Sequence, residues 1–163
     1  MDERPKLNFT AEEFRRVKEK AEAAYKALHQ VYCPYLTTSV KFNAKGLEHL
    51  KFKARRHERS HYDQFMRFKL LHHAPEVLRK SHTLQGINET STFERQKKHG
   101  RWEGALKLVT YYEFIAVMDR VRTKVIVKRV EGEECHFYSI IPFWRVSGIT
   151  KKRLLYDGNS ELD

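Results

Sequence analysis

Apolar residues recur every three or four positions along the first part of the chain, at Phe14, Val17, Ala21, Ala24, Tyr25 and Leu28. That spacing collects them on one face of a helix. Thr10 and Glu13 stand at the separation of a capping box, with Phe9 and Phe14 at the staple positions around it, so the helix is predicted to start at about Ala11. Pro34 is expected to stop it, because proline disfavours helical geometry in the residue before it. The period then falls to two. Val40 and Phe42 share a face over Thr38 to Asn43, which predicts a short strand closing at Lys45-Gly46. After a basic run containing Lys51, Lys53, Arg55, Arg56 and Arg59, helical spacing returns at about Ser60. Tyr62, Phe65, Met66, Leu70, His73 and Val77 fall on one side of this second helix, with Arg67, Lys69 and Lys80 elsewhere.

From Ser81 to Gly104 the chain is polar, with Gly86, Gly100, Gly104 and a Lys97-Lys98-His99 run, and it reads as loop with at most a short strand around Phe93. The last third differs in kind. Leu106 to Met118, Arg122 to Val130 and Cys135 to Ile141 are rich in Val, Ile, Tyr and Phe, and Glu131-Gly132-Glu133 supplies a turn between the second and third. These predict an antiparallel meander. The fold class is therefore α+β, with two N-terminal helices packed on an antiparallel sheet in a single domain, 1–163. Its parts are an N-terminal helix over 1–36, a core over 37–142 that carries the polar insertion 81–104, and a tail over 143–163 that is expected to be mobile.

Charge narrows the choice of partner. Lys and Arg total 32 against 21 Asp and Glu, a formal net charge of +11 with a pI near 9.7. Such a surface favours polyanions through counterion release. A lipid surface is the weaker partner, because the basic stretches are scattered over helix, loop and strand instead of facing a bulky apolar stripe on one helix. No window approaches the ~18 apolar residues of a membrane span, and the start, Met1-Asp2-Glu3-Arg4, is charged. Cys33 and Cys135 lack the spacing of a disulfide framework or a thiolate metal site, so a reducing, cytoplasmic setting without membrane contact is expected.

Six of the nine histidines, His49, His57, His61, His72, His73 and His82, lie among the cations between positions 49 and 82. Neutral imidazole beside Arg and Lys is what RNA cleavage without a metal requires: a base for the ribose 2′-OH, a cation for the phosphorane, an acid for the 5′ oxygen. Solvated or merely hydrogen-bonded histidines are the plain alternative. His57-Glu58-Arg59-Ser60-His61 matches the H-E-x-x-H zinc signature literally. Arg55, Arg56 and Arg59 crowd it with positive charge, and Gln64 and Arg67 stand where the extended motif needs Gly and a third His. A zinc hydrolase on His57 and His61, with Glu76, Glu89 or Glu94 as a distal third ligand, is the last-ranked alternative, and no metal or other cofactor is expected. In the final strand, His136 and Ser139 face opposite sides unless a bulge or strand end intervenes. The strand before it presents Arg122, Lys124 and Lys128 on one face, a surface able to contact phosphate. Tyr112, Tyr138 and Trp144 are the rings most open to stacking with bases, whereas Phe114 and Phe143 are expected in the core.

The order of elements, with the strings Val40-Lys41-Phe42-Asn43, Gly46-Leu47-Glu48-His49-Leu50, the arginine-rich run before the second helix, and Lys124-Val125-Ile126-Val127 leading to His136-Phe137-Tyr138-Ser139, resembles the barnase, EndoU, colicin and RelE superfamily, in its phage- and plasmid-associated branch. The resemblance spans about Val40 to Pro142. It implies a metal-independent ribonuclease of toxin type that cuts RNA, tRNA or mRNA, through a 2′,3′-cyclic phosphate and is held in check by an acidic antitoxin or immunity protein. It further implies His49 as general base or proton shuttle, Lys51, Lys53 and Arg55 near the phosphate, and His136 with Ser139 closing the site. Arg56, Arg59, Lys124, Lys128, Tyr112 and Tyr138 complete the expected nucleic-acid contacts. The competing reading is a non-catalytic module that binds RNA or DNA.

Overall fold

The structure is a computed structural model that describes residues 8–53, 57–143 and 155–163. Helix α1, Ala11–Leu28, begins as its sequence predicts: Thr10 accepts from the Glu13 amide at 3.1 Å, and the Glu13 carboxylate accepts from the Thr10 amide at 2.9 Å. It ends earlier than Pro34 because His29 turns to a positive φ of 58°. The residues up to Pro34 form a strand instead, β1, Gln30–Cys33, which pairs antiparallel with β2, Thr38–Lys41. Lys45 and Gly46 do not close that strand. Asn43 caps a further helix, α2, Ala44–Lys51, by accepting from the Gly46 amide at 3.3 Å.

Helix α3, His61–Leu70, starts at its Ser60 cap. The single long helix expected from Ser60 onward is broken by a 3-10 turn over Leu71–His73, after which α4, Ala74–Lys80, begins with Pro75 in its first turn. The segment after α4 is the largest departure from expectation. In place of a loop it forms β3, Gly86–Lys98, which pairs residue for residue with β4, Arg101–Met118, through a two-residue turn with both His99 and Gly100 at positive φ. Polar side chains hide this strand from a periodicity argument because neither of its faces is well buried.

The meander is as expected: β4 pairs with β5, Val121–Val130, which pairs with β6, His136–Pro142, all antiparallel. One parallel pair, Lys41 with His136, joins β2 to β6 and completes a six-stranded sheet in the order β1-β2-β6-β5-β4-β3. The main core lies between one face of this sheet, with Phe114, Val125, Val127, Phe137 and Ile140, and the helices, with Tyr25, Leu47, Leu50, Phe68 and Leu78. A smaller cluster of Val109, Tyr111, Ile126, Val130 and Tyr138 occupies the opposite face. No helix among the described residues is long and apolar enough to cross a membrane. The C-terminal residues 155–163 are packed over this second face, contrary to the mobility expected of the tail.

Candidate functional site

Between Ile126 and Val127 the register of β6 slips, so that Val127 pairs with Phe137 and Ile126 with Ser139. Tyr138 is the extra residue of a β-bulge. The bulge is the condition under which His136 and Ser139 can share a face, since their partners Lys128 and Ile126 are two residues apart on β5. It turns His136, Tyr138 and Ser139 toward the second face together.

Helices α2 and α3 meet this strand with charged groups. Arg59, Asp63 and Arg67 follow one another at four-residue spacing, and all three are buried. Arg59 Nη1 donates to Asp63 Oδ2 at 3.2 Å and Arg67 Nε to Asp63 Oδ1 at 2.5 Å. Arg59 also reaches back to α2: its Nε donates to the His49 carbonyl and its Nη2 to His49 Nε2, both at 2.9 Å. That contact makes Nε2 the acceptor and leaves the ring proton on Nδ1. The His49 ring stacks on Tyr138, with centroids 3.9 Å apart. Burial, followed by the charges of Arg59, Arg67, Lys128 and His136, pushes the His49 pKa down to about 2. Burial, with Lys128 and Lys45 nearby, brings His136 to about 4. Both imidazoles are therefore neutral near pH 7.

Four donors from these elements converge on three consecutive main-chain oxygens of the tail. Tyr138 OH donates to the Glu161 oxygen at 2.6 Å, Arg59 Nη2 to Leu162 at 2.8 Å, and Ser139 Oγ to Asp163 at 2.5 Å, where Arg67 Nη1 also donates. Arg67 Nη1 additionally donates to Ser139 Oγ at 2.6 Å. Asp63 balances only one of the two guanidiniums, and the carboxyl of Asp163, close enough to feel the Arg67 and Lys124 charges, is supplied by the tail. The Nη2 of Arg67 and the Oδ2 of Asp163 are enclosed and meet no hydrogen-bond partner among the described residues. Beside this cradle, Lys128 lies 5.4 Å from the Tyr138 ring and 5.9 Å from that of Tyr111. Buried Lys124 pairs with Glu113 at 3.2 Å beneath the rings of Phe143 and Tyr156.

The structure thus brings together His49, Arg59, Lys128, His136, Tyr138 and Ser139 of the residues expected from sequence. It leaves others apart. Lys51 points to α1, where its ammonium meets Glu22 at 2.6 Å, and Lys53 pairs with Asp157 of the tail at 3.3 Å. Tyr112 packs against the main core on the far side of the sheet, and Lys124 is spent on Glu113. Arg55, Arg56, Trp144 and Lys151 to Arg153 lie outside the described residues. The zinc signature does not form: α3 begins at His61, so His57 and Glu58 precede the helix and the two histidines are not one helical turn apart on it. His61 stacks on Phe14 instead, and among the described residues the three-ligand group is His72, His73 and Asp119. Sequence reasoning misses Asp63 and Arg67 because the helical wheel puts Arg67 on the polar side. The available signal is the Asp63-x-x-x-Arg67 spacing, which sets an acid and a cation one turn apart on α3, with Arg59 joining the same acid from the segment just before the Ser60 cap.

Compared with protein-family models, curated proteins and solved structures, the chain matches none of them.

Proposed function

We propose that this chain is a metal-independent RNA endonuclease of the barnase, EndoU, colicin and RelE type. It works in the cytoplasm and is restrained by an acidic protein partner. The observation that carries the reading is the convergence of Arg59, Arg67, Tyr138 and Ser139 on successive oxygens, with two neutral imidazoles alongside. Donors so arranged suit the non-bridging oxygens of a phosphodiester and gain strength where its charge grows in the phosphorane.

In this scheme RNA phosphate replaces the oxygens of Glu161, Leu162 and Asp163. A phosphate anion beside His49 and His136 raises both pKa values toward the range useful for proton transfer. His49, entering neutral, takes the 2′-OH proton as the 2′ oxygen attacks phosphorus, and His136, entering as the imidazolium once the phosphate anion has raised its pKa, gives its proton to the 5′ oxygen as the P–O5′ bond breaks. The products are a 2′,3′-cyclic phosphate and a 5′-OH. One observation favours a second reading, binding without cleavage: the Nε2 lone pair of His49 is already engaged by Arg59.

Incubation of the purified protein with total RNA in EDTA separates the two. Discrete fragments with cyclic-phosphate ends, lost in His49→Ala, support the endonuclease. RNA retained intact supports the binding module, and RNA neither held nor cut removes both.

A further inference from the structure

The outer part of the β3–β4 hairpin stands alone. Residues 101–107 of β4 pair with β3 and, among the described residues, with no other strand, because β5 joins β4 only from Val109. Seven residues of strand carry this ribbon roughly 23 Å past the sheet. A lone two-stranded ribbon has little burial to stabilise it, so what it exposes is informative.

The register sorts its side chains. Phe93 faces Leu106, Arg95 faces Gly104 and Lys97 faces Trp102, which puts Phe93, Arg95, Lys97, Trp102 and Leu106 on one face. Phe93 is 77% and Trp102 66% exposed, among the most exposed large apolar side chains of the protein. Both carboxylates of the outer ribbon, Glu94 and Glu103, fall on the other face by the same alternation. At the tip, held by His99 and Gly100 at positive φ, Lys98 and Arg101 pair with each other and fall by the same alternation on the face of Glu94 and Glu103, so the cations of the ring-bearing face are Arg95 and Lys97. Aromatic rings interleaved with cations, on a face without acids, match unpaired bases on a polyanionic backbone. A protein surface would be served equally well by a face with mixed charges. A base-paired duplex offers no base faces to the rings, although a ribbon can enter its major groove.

We infer that the outer β3–β4 ribbon is a second RNA contact, a stacking platform for unpaired nucleotides. It rests on RNA being the ligand of this protein, but not on cleavage. The even-numbered positions of β4 that carry the platform continue into Tyr112 and Phe114 on the main-core side, away from His49 and Tyr138. One RNA molecule therefore meets the cradle and the platform with different nucleotides, and only a long strand can reach both.

Fluorescence anisotropy with labelled 2′-O-methyl oligouridines, whose blocked 2′ oxygen prevents cleavage, tests this. Strands of about four and about sixteen nucleotides bracket the site sizes of such platforms. In the double variant Phe93→Ala/Trp102→Ala, affinity for the long strand is expected to fall by at least about fivefold per ring, with the short strand and the thermal midpoint unchanged. Arg95→Gln/Lys97→Gln is expected to make the log–log salt slope shallower by about 0.7 for each phosphate that the platform face no longer neutralises. Long-strand affinity unchanged in both variants overturns the platform. So does a stronger, ring-dependent grip on duplex DNA, or loss of self-association on sedimentation with RNA affinity intact. If the wild type cuts RNA while both variants bind as it does, the platform alone fails. If the wild type holds no RNA of either length and cuts none, the RNA reading fails with it.

Discussion

Arg67 on α3 donates through Nη1 to Ser139 Oγ at 2.6 Å, and that bond fastens the Arg59–Asp63–Arg67 charge ladder to the strand that the Tyr138 bulge has turned. The ladder holds Arg59 and Arg67 against a single acid, Asp63, away from solvent. Removing Arg67 leaves a neutral Arg59–Asp63 pair, whereas removing Asp63 leaves two buried like charges. Asp63→Asn is therefore expected to lower the unfolding free energy by about 3–5 kcal/mol, and Arg67→Met by less. Urea melts rank the two. RNA affinity is expected in the reverse order, falling more in Arg67→Met because a phosphate donor is removed, and the same ranking in both measurements would contradict the assignment.

Acid is expected to unfold the protein through its buried histidines. His49 and His136 are held at about 2 and about 4, below the ordinary value of 6.5, so below that value the unfolded chain binds protons that the folded chain refuses. Stability is unaffected by these groups above about pH 6.5 and declines as pH falls through the interval down to each folded value, by about 1.4 kcal/mol per pH unit for each histidine. His136→Asn should flatten the decline between about pH 6 and pH 4 relative to wild type. Parallel profiles of stability against pH for the two proteins would show that His136 titrates normally.

The helix-start and strand signals that rest on local chemistry were legible in the sequence: the Thr10–Glu13 box and the three apolar strands of the meander are present, β4 starting earlier than expected at Arg101, and the strand read from Thr38 forms but ends at Lys41, before Phe42. What escaped was set by partners distant in sequence. Strand β3 is polar because its outer half packs on nothing, so its only evidence is pairing with β4. Helix α2 is short and depends on contact with β6 near Phe137. Half of the candidate site was legible in the same sense. His49, His136 and Ser139 carry recognisable chemistry, but the closure of the cradle by residues 161–163 is a contact more than ninety positions away from Arg67. No local pattern encodes it.

Gly46 sets how closely α2 approaches β6. A Cβ there would collide with the Phe137 carbonyl oxygen and stand 2.6 Å from the Tyr25 hydroxyl, which itself donates to the Asn43 carbonyl at 2.6 Å. The backbone oxygen cannot step aside, so Gly46→Ala must push the helix outward and carry His49 with it. We expect a loss of about 1–3 kcal/mol and a drop in cleavage larger than the drop in RNA affinity. Thermal melts and initial cleavage rates measure the two effects. A variant with wild-type stability and rate would mean that α2 stands further from β6 than this geometry requires.

The tail is the nearest competitor of any phosphate for the cradle. Its grip extends beyond the three oxygens: Asp157 pairs with Lys53 at 3.3 Å, Ser160 accepts from Asn88 at 2.6 Å and donates to Glu113 at 2.9 Å, and the Asp157 amide donates to Asp163 Oδ1 at 2.6 Å. A ligand that must displace such a segment sees its affinity reduced by the fraction of molecules in which the cradle is open. Removing residues 157–163 abolishes the competition and rehydrates His49. If the open form is about one tenth of the population, affinity for a short RNA should rise about tenfold. The His49 pKa, followed by NMR titration, should rise at the same time, since burial is the main cause of its depression. The shortened protein also loses the second anion near Arg67, so added phosphate should raise its thermal midpoint more than that of the full chain. Weaker RNA binding by a shortened protein that remains folded would reverse the assignment: the tail would then belong to the RNA-binding surface, with Asp163 orienting Arg67 and Ser139 instead of blocking them.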